Sequence, residues 1–77
     1  MTPIIWTGDL YDDCSAEWEG LVLRAERMDV RVWWWEVTDG ALVVDGSNER
    51  GKDEPCGSRA RSVCEAAARA YRRAVPR

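Results

Sequence analysis

This chain of 77 residues contains no histidine and no phenylalanine, and it has only three cysteines. Without an imidazole it has no Ser-His or Cys-His nucleophile pair and no ordinary general base near neutral pH. Neither Gly51 nor Gly57 is followed by the Lys-Ser or Lys-Thr pair of a phosphate-binding loop. We therefore expect no catalytic activity and no cofactor.

The cysteines, Cys14, Cys56 and Cys64, are odd in number and form no Cys-X-X-Cys pair. A zinc site would need a fourth ligand, and the chain has no histidine to supply it. Secreted disulfide-rich domains of this size usually carry a larger, even set. We expect no metal site and free thiols in a reducing cytoplasm, with a Cys14–Cys56 disulfide as the alternative.

Long apolar runs are also absent. No window approaches the roughly 18 apolar residues of a membrane span. Residues 1–19 hold no Lys or Arg and no apolar run longer than three residues, so no signal peptide is predicted. The expected protein is one soluble domain, residues 1–77, in the cytoplasm and without a membrane partner.

The net charge of −3 is unevenly distributed along the chain. Residues 1–54 carry −8, whereas residues 55–77 carry +5, with six arginines against Glu65. One interpretation is that the two parts attract each other and that both of their surfaces are simply solvated. The other is that one of the two surfaces docks an oppositely charged partner. The most acidic stretch is a candidate docking zone and contains Asp9, Asp12, Asp13, Glu17 and Glu19.

Three consecutive tryptophans, Trp33 to Trp35, are the most informative feature that is present. Successive side chains of a strand point to opposite faces, so at least one indole must point away from a core. Asp39-Gly40 predicts a type I′ hairpin turn, with Trp35 opposite Val44. The predicted core face holds Trp33, Trp35, Val37, Leu42 and Val44. The predicted outer face holds Val32, Trp34, Glu36, Val43 and Asp45.

A helix is predicted over residues 57–75, because apolar residues recur there at steps of three and four. Its apolar stripe is Ala60, Val63, Cys64, Ala67, Ala70, Tyr71 and Ala74. Residues 46–56 form a polar connector with no apolar anchor before its end, and we expect it to be mobile.

Residues 15–28 fit either a strand or a helix. Helical spacing joins Trp18, Leu21, Val22, Ala25 and Met28, but Gly20 weakens a helix, and a lone hairpin needs a third strand. Strand is the preferred interpretation. The predicted fold is α+β: a three-stranded antiparallel meander over residues 16–45, a helix on one face (β-β-β-α), and an N-terminal arm over residues 1–14.

Four segments within residues 16–73 form a recognisable combination: Leu23-Arg24-Ala25-Glu26, Val32-Trp33-Trp34-Trp35-Glu36-Val37, Asp39-Gly40 and Cys64-Glu65-Ala66-Ala67-Ala68-Arg69-Ala70-Tyr71. In these segments the chain resembles very small acidic proteins encoded by phages and prophages. This resemblance implies an inhibitor of a bacterial defence system, such as an anti-CRISPR protein, that occupies a site on a host complex. It transfers no binding residue.

The predicted function is therefore non-catalytic binding of a host protein or complex. The contact surface would comprise the outer face (Val32, Trp34, Glu36, Val43 and Asp45) and the acidic zone. One alternative is nucleic-acid binding through Arg61, Arg69, Arg72 and Arg73 of the helix, which the separation of the arginines from the indoles disfavours. Another is a homodimer formed through the same outer face.

Overall fold

A computed structural model describes residues 2–77. The sheet comprises β1 (Thr7–Asp9), β2 (Asp13–Trp18), β3 (Leu21–Asp29), β4 (Val32–Asp39) and β5 (Leu42–Gly46), and the helices are α1 (Ser47–Arg50) and α2 (Gly57–Ala74). The strands pair antiparallel in the order β1-β2-β3-β4-β5. The α+β class and the C-terminal helix are confirmed. The expectation of three strands was wrong, because residues 2–77 form a sheet of five strands.

The additional strands come from residues 7–18. Trp18 pairs with Leu21 across a two-residue turn, in which Glu19 and Gly20 have φ of 52° and 77°. Positive φ at both central residues defines a type I′ hairpin turn, so Gly20 ends a strand instead of weakening a helix. Strand was thus the better interpretation of residues 15–28, although this turn divides them into two strands.

The β4–β5 hairpin differs from its predicted register. Asp39 pairs with Leu42 and Thr38 with Val43, so that Gly40 and Ala41 form the turn. A bulge then leaves Val44 as an extra residue. A bulge re-aims the side chains that follow it. The predicted pairing of Trp35 with Val44 is therefore wrong, and the β5 residues are displaced along β4.

Large side chains of the sheet pack against small side chains of α2. Trp33, Trp35 and Val37 point into the core as predicted and are 6%, 0% and 0% exposed. The buried α2 residues are Ala60, Cys64, Ala67 and Ala68. A row of small side chains lets the helix backbone approach the indoles closely. Ala70 and Ala74 of the predicted stripe are exposed, as is Leu42 of the predicted core face.

Hydrogen bonds anchor the connector between β5 and α2, which has no apolar anchor before its end and was expected to be mobile. The Ser47 hydroxyl accepts a 2.9 Å bond from the Trp35 N–H. Glu54 forms an antiparallel bridge with Trp33, with N···O distances of 2.8 and 2.9 Å. Ser47 and Glu54 are both buried. The connector thereby seals the part of the β4 edge that β5 does not cover.

Replacing Trp35 with alanine tests the assignment of faces. Trp35 is fully buried, so Trp35→Ala should lower the free energy of unfolding by about 3–5 kcal/mol. Trp34 points away from α2, and Trp34→Ala should cost less than about 2 kcal/mol. Urea denaturation of both variants measures the difference. Equal losses would contradict the assignment.

Gly57→Ala tests the close approach of α2 to the sheet. Alanine gains at most about 1 kcal/mol in helix propensity. However, the new Cβ would lie 2.9 Å from Cζ2 of the buried Trp33, and such overpacking costs about 1–3 kcal/mol. We expect net destabilisation in a thermal melt. Ser62→Ala, at an exposed position of the same helix, is the control and should be neutral or stabilising.

Candidate protein-binding face

The face of the sheet that points away from α2 is the candidate site, and we call it the open face. Burial alternates along β2, β3 and β4, which defines the outward residues. They include four acids, one arginine and several apolar side chains. The open face comprises Asp13, Ser15, Glu17, Val22, Arg24, Glu26, Val32, Trp34, Glu36, Thr38 and Val43.

Three rows of paired residues cross the open face from β2 towards β5. The first row is Asp13, Glu26 and Trp34, and the second is Ser15, Arg24 and Glu36. The third row is Glu17, Val22, Thr38 and Val43. The second row, with Arg24 and Glu36, therefore lies between a row that contains Trp34 and a row that contains Val22 and Val43.

Trp34 is half-buried, and charged neighbours hold its ring in place. The guanidinium of Arg24 lies 5.5 Å from the ring centroid, a cation–π contact. Arg24 also forms an exposed 3.5 Å ion pair with Glu26, which stands directly opposite Trp34. At exposed positions such a contact contributes about 0.5–1 kcal/mol, so Arg24 favours this orientation of the Trp34 ring.

The structure separates the predicted outer-face residues. Val32 and Trp34 lie on β4. Val43 lies on β5 and pairs with Thr38, which is four residues beyond Trp34 along β4. At about 3.4 Å per residue, that spacing is about 14 Å. Asp45 does not join the open face, since the bulge places it opposite the inward-pointing Val37, where Arg50 binds it at 2.7 Å. Glu36 is half-buried on the open face, as predicted.

The predicted acidic zone is also divided. Asp13 and Glu17 belong to the open face, whereas Asp9 accepts a bond from the Tyr11 N–H in the β1–β2 turn and Asp12 lies beside it. Glu19 lies at the other end of the sheet, where its carbonyl oxygen accepts a 2.8 Å bond from Arg72. No single acidic surface unites the five residues.

Val22, Arg24 and Glu26 complete the open face, although they were not among the predicted site residues. Their signal was the alternation of Leu21, Leu23 and Ala25 with polar or exposed neighbours. Once β3 is placed between β2 and β4, each of the three lies beside a predicted residue.

The predicted arm over residues 1–14 is divided, since residues 7–9 form β1 and Asp13 begins β2. The part that precedes the sheet, residues 2–6, is called the arm from here on, and it leaves the open face uncovered. Ile4 and Trp6 pack against the core cluster on the side of α2. The Trp6 indole donates a 2.7 Å bond to Glu65 of α2, and the Trp18 indole donates a 2.8 Å bond to the carbonyl of Thr2. Within residues 2–77, the arm, α1 and α2 thus all lie on the opposite face from Trp34.

The arginines of α2 contact the protein itself. Arg61 donates to the Leu10 carbonyl at 2.8 Å, and the Arg69 guanidinium lies 5.2 Å from the Trp18 ring. Arg72 is 10% exposed and binds the carbonyls of Glu19 and Val75. Together with Arg73, Arg69 and Arg72 line a cleft of about 340 Å³ beside Trp18. These contacts join the helix to the β2–β3 turn and to the β1–β2 loop.

The three thiols are free and have different environments. Cys56 is exposed at the N-cap of α2, and its pKa is lowered chiefly by the Ser58 hydroxyl, 3.4 Å from its sulfur. Burial raises the pKa of Cys64 to about 12 and also raises that of Cys14. The Cys56 side chain lines a cleft of about 440 Å³ with Arg27 and Arg61.

No cluster of three or more Cys, Asp or Glu side chains suited to holding a metal ion occurs in the described part of the chain. Neither helix formed by residues 2–77 has the length and apolar character needed to cross a membrane.

Comparison with protein-family models, with curated proteins and with solved structures finds no match to this chain. A functional proposal therefore depends on the geometry of the site.

The reactivity of the three thiols should follow their exposure. At neutral pH a thiol reagent should modify one cysteine per native chain, Cys56, and all three after denaturation. Ser58→Ala removes the hydroxyl that stabilises the Cys56 thiolate. The pH at which the rate of Cys56 modification reaches half its maximum should therefore rise. Mass spectrometry counts the adducts. Modification of native Cys64 would contradict the packing of α2.

Proposed function

We propose that this protein is a non-catalytic binding protein that uses the open face of its sheet to cover a site on another protein. The observation that carries the proposal is the asymmetry of the sheet. One face is filled by α2, α1 and the arm, whereas the other presents Trp34 with no described segment packed on it. A tryptophan anchor with charged neighbours has the anatomy of an interface hot spot with a polar rim.

The charge of the open face defines the chemistry of the partner. Asp13, Glu17, Glu26 and Glu36 oppose a single arginine, Arg24. A complementary surface would be basic, because electrostatic complementarity orients encounter and excludes wrong partners. It would also have an apolar recess that receives the Trp34 indole. A protein surface that normally contacts nucleic acid has this character. We infer that the chain competes for such a surface on a host complex, in keeping with its resemblance to phage-encoded inhibitors.

Nucleic-acid binding by the helix arginines is the competing proposal, and it has less support. Arg61 and Arg72 already donate to carbonyl oxygens of the chain, and Arg69 stacks on Trp18. Contact with phosphates would require these arginines to give up part of those interactions. The acidic open face would in addition repel a nucleic acid.

The experiment is affinity capture from bacterial host lysate, with half of each sample treated with nuclease. Wild type is compared with Trp34→Ala and with the matched control Tyr11→Ala, an aromatic that is 85% exposed in the β1–β2 turn. A protein retained by wild type and Tyr11→Ala, lost by Trp34→Ala and insensitive to nuclease supports the proposal.

Affinity for the captured partner should then be measured with purified proteins. Loss of a hot-spot tryptophan costs about 2 kcal/mol or more, so Trp34→Ala should raise Kd about 30-fold. Glu36→Lys should weaken binding and reduce its salt dependence, whereas Glu49→Lys, in α1, should not. Equal loss with Tyr11→Ala, or recovery of nucleic acid alone, would contradict the proposal.

A further inference from the structure

The outer edge of β5 is the second unoccupied surface of the sheet. Strand β5 is last in the sheet order and hydrogen-bonds to β4 on one side only. An edge strand exposes unpaired backbone N–H and C=O groups that can pair with another strand. The opposite edge is less suitable, because β1 has three residues and one of them, Gly8, has a φ of +91°.

The β5 edge carries little of the charge that usually protects such edges. It contains Leu42, Val43 and Val44, and the first two are 57% and 38% exposed. Its one charged side chain, Asp45, is neutralised within the chain by Arg50, with bonds of 2.7 and 3.1 Å. Protected edges carry lysine, proline, a bulge or inward-pointing charge. Residues 42–46 contain no lysine or proline, and their two protecting features are the bulge at Val44 and the inward-pointing Asp45, which Arg50 neutralises.

A cleft of about 520 Å³ lies beside this edge, between β5 and α2. Its lining is mainly apolar, with Val44, Val63, Ala66, Ala67, Ala70 and Tyr71, and it also includes the paired charges of Asp45 and Arg50. A strand added to β5 continues the sheet, so alternate side chains of that strand would project on the α2 side, where the cleft lies.

We propose that β5 pairs antiparallel with β5 of a second copy of this chain, forming a two-fold dimer with a continuous ten-stranded sheet. The pairing of β5 with β4 supports a second copy of the chain as the partner of this edge. Leu42 pairs with Asp39, which accepts a bond from Tyr71 of α2, so Leu42 points to the α2 side. In the dimer, the exposed Leu42 of each copy enters the cleft of the other, and each strand contributes the same residues.

Charge favours the edge over the open face as the contact between two copies. Two open faces packed together would bring the same excess of carboxylates into contact, and like charges across an interface cost several kcal/mol. Two β5 strands bring uncharged Leu42, Val43 and Val44 together. Edge pairing also leaves both open faces uncovered on one side of the sheet, so the dimer would present its protein-binding surface twice.

Sedimentation equilibrium over a wide concentration range tests the dimer. A strand-addition contact of this size is small, so we expect a reversible dimer with Kd on the order of tens of micromolar. Leu42→Lys should raise Kd at least about tenfold, because in the dimer this side chain enters the cleft of the other copy and would bury a charge there. Val22→Lys is the control. It makes the same charge change on the open face, at 37% exposure and away from either edge of the sheet.

Hydrogen exchange gives a second readout that does not depend on a variant. Protection of the amides of residues 42–46 should increase with protein concentration, whereas that of residues 7–9 should not change. A chain that stays monomeric into the millimolar range would overturn the proposal. So would a dimer that Val22→Lys abolishes and Leu42→Lys leaves intact, because it would place the contact on the open face.

Discussion

The structure depends on the contact between the buried indoles of β4 and the small residues of α2. Trp33 and Trp35 fill the core from the sheet, and Ala60, Cys64 and Ala67 receive them from the helix. A small domain buries a limited share of its surface, so a large part of its stability must come from a few large side chains. This contact decides which face of the sheet is closed. Since strand residues alternate, it also decides that Trp34 is on the other face.

Charged residues have different roles on the covered face and on the open face of the sheet. The arginines of α2 bind carbonyl oxygens of loops and stack on aromatic rings, and they hold the helix onto the sheet. Within residues 2–77, the open-face acids Asp13, Glu17 and Glu36 have no such role, and Glu26 forms only the exposed pair with Arg24. Asp39, at the end of β4 on the covered face, does bind Tyr71 and Arg72 of α2. A surface whose charges contribute little to the fold is available for recognition. The asymmetry seen along the sequence thus becomes an asymmetry between two sides of the molecule.

Local patterns predicted the class of fold, the limits of α2 to within a residue, and the inward and outward directions of the three tryptophans. They did not predict the number of strands. Residues 13–18 alternate strictly between polar and apolar residues, but they were divided between the expected arm (1–14) and a segment that also fits helical spacing (15–28). The clue to the β2–β3 turn was a break in alternation. Residues three apart in one strand point to opposite faces, yet Trp18 and Leu21 both point inward. The β5 residues were misassigned for another reason. A bulge after Val43 has no signature in Val-Val-Asp-Gly, and it moved Asp45 from the predicted outer face to the α2 side.

The most direct test of the account is the solvent accessibility of each indole in the free protein. NMR spectra of ¹⁵N-tryptophan-labelled protein, recorded with a soluble paramagnetic agent, report the five indole N–H groups separately. The account predicts strong broadening of the Trp34 signal and little broadening of the Trp33 and Trp35 signals. Protection of Trp34 equal to that of Trp35 would show that the open face is covered, and would contradict the assignment of this face as the binding surface.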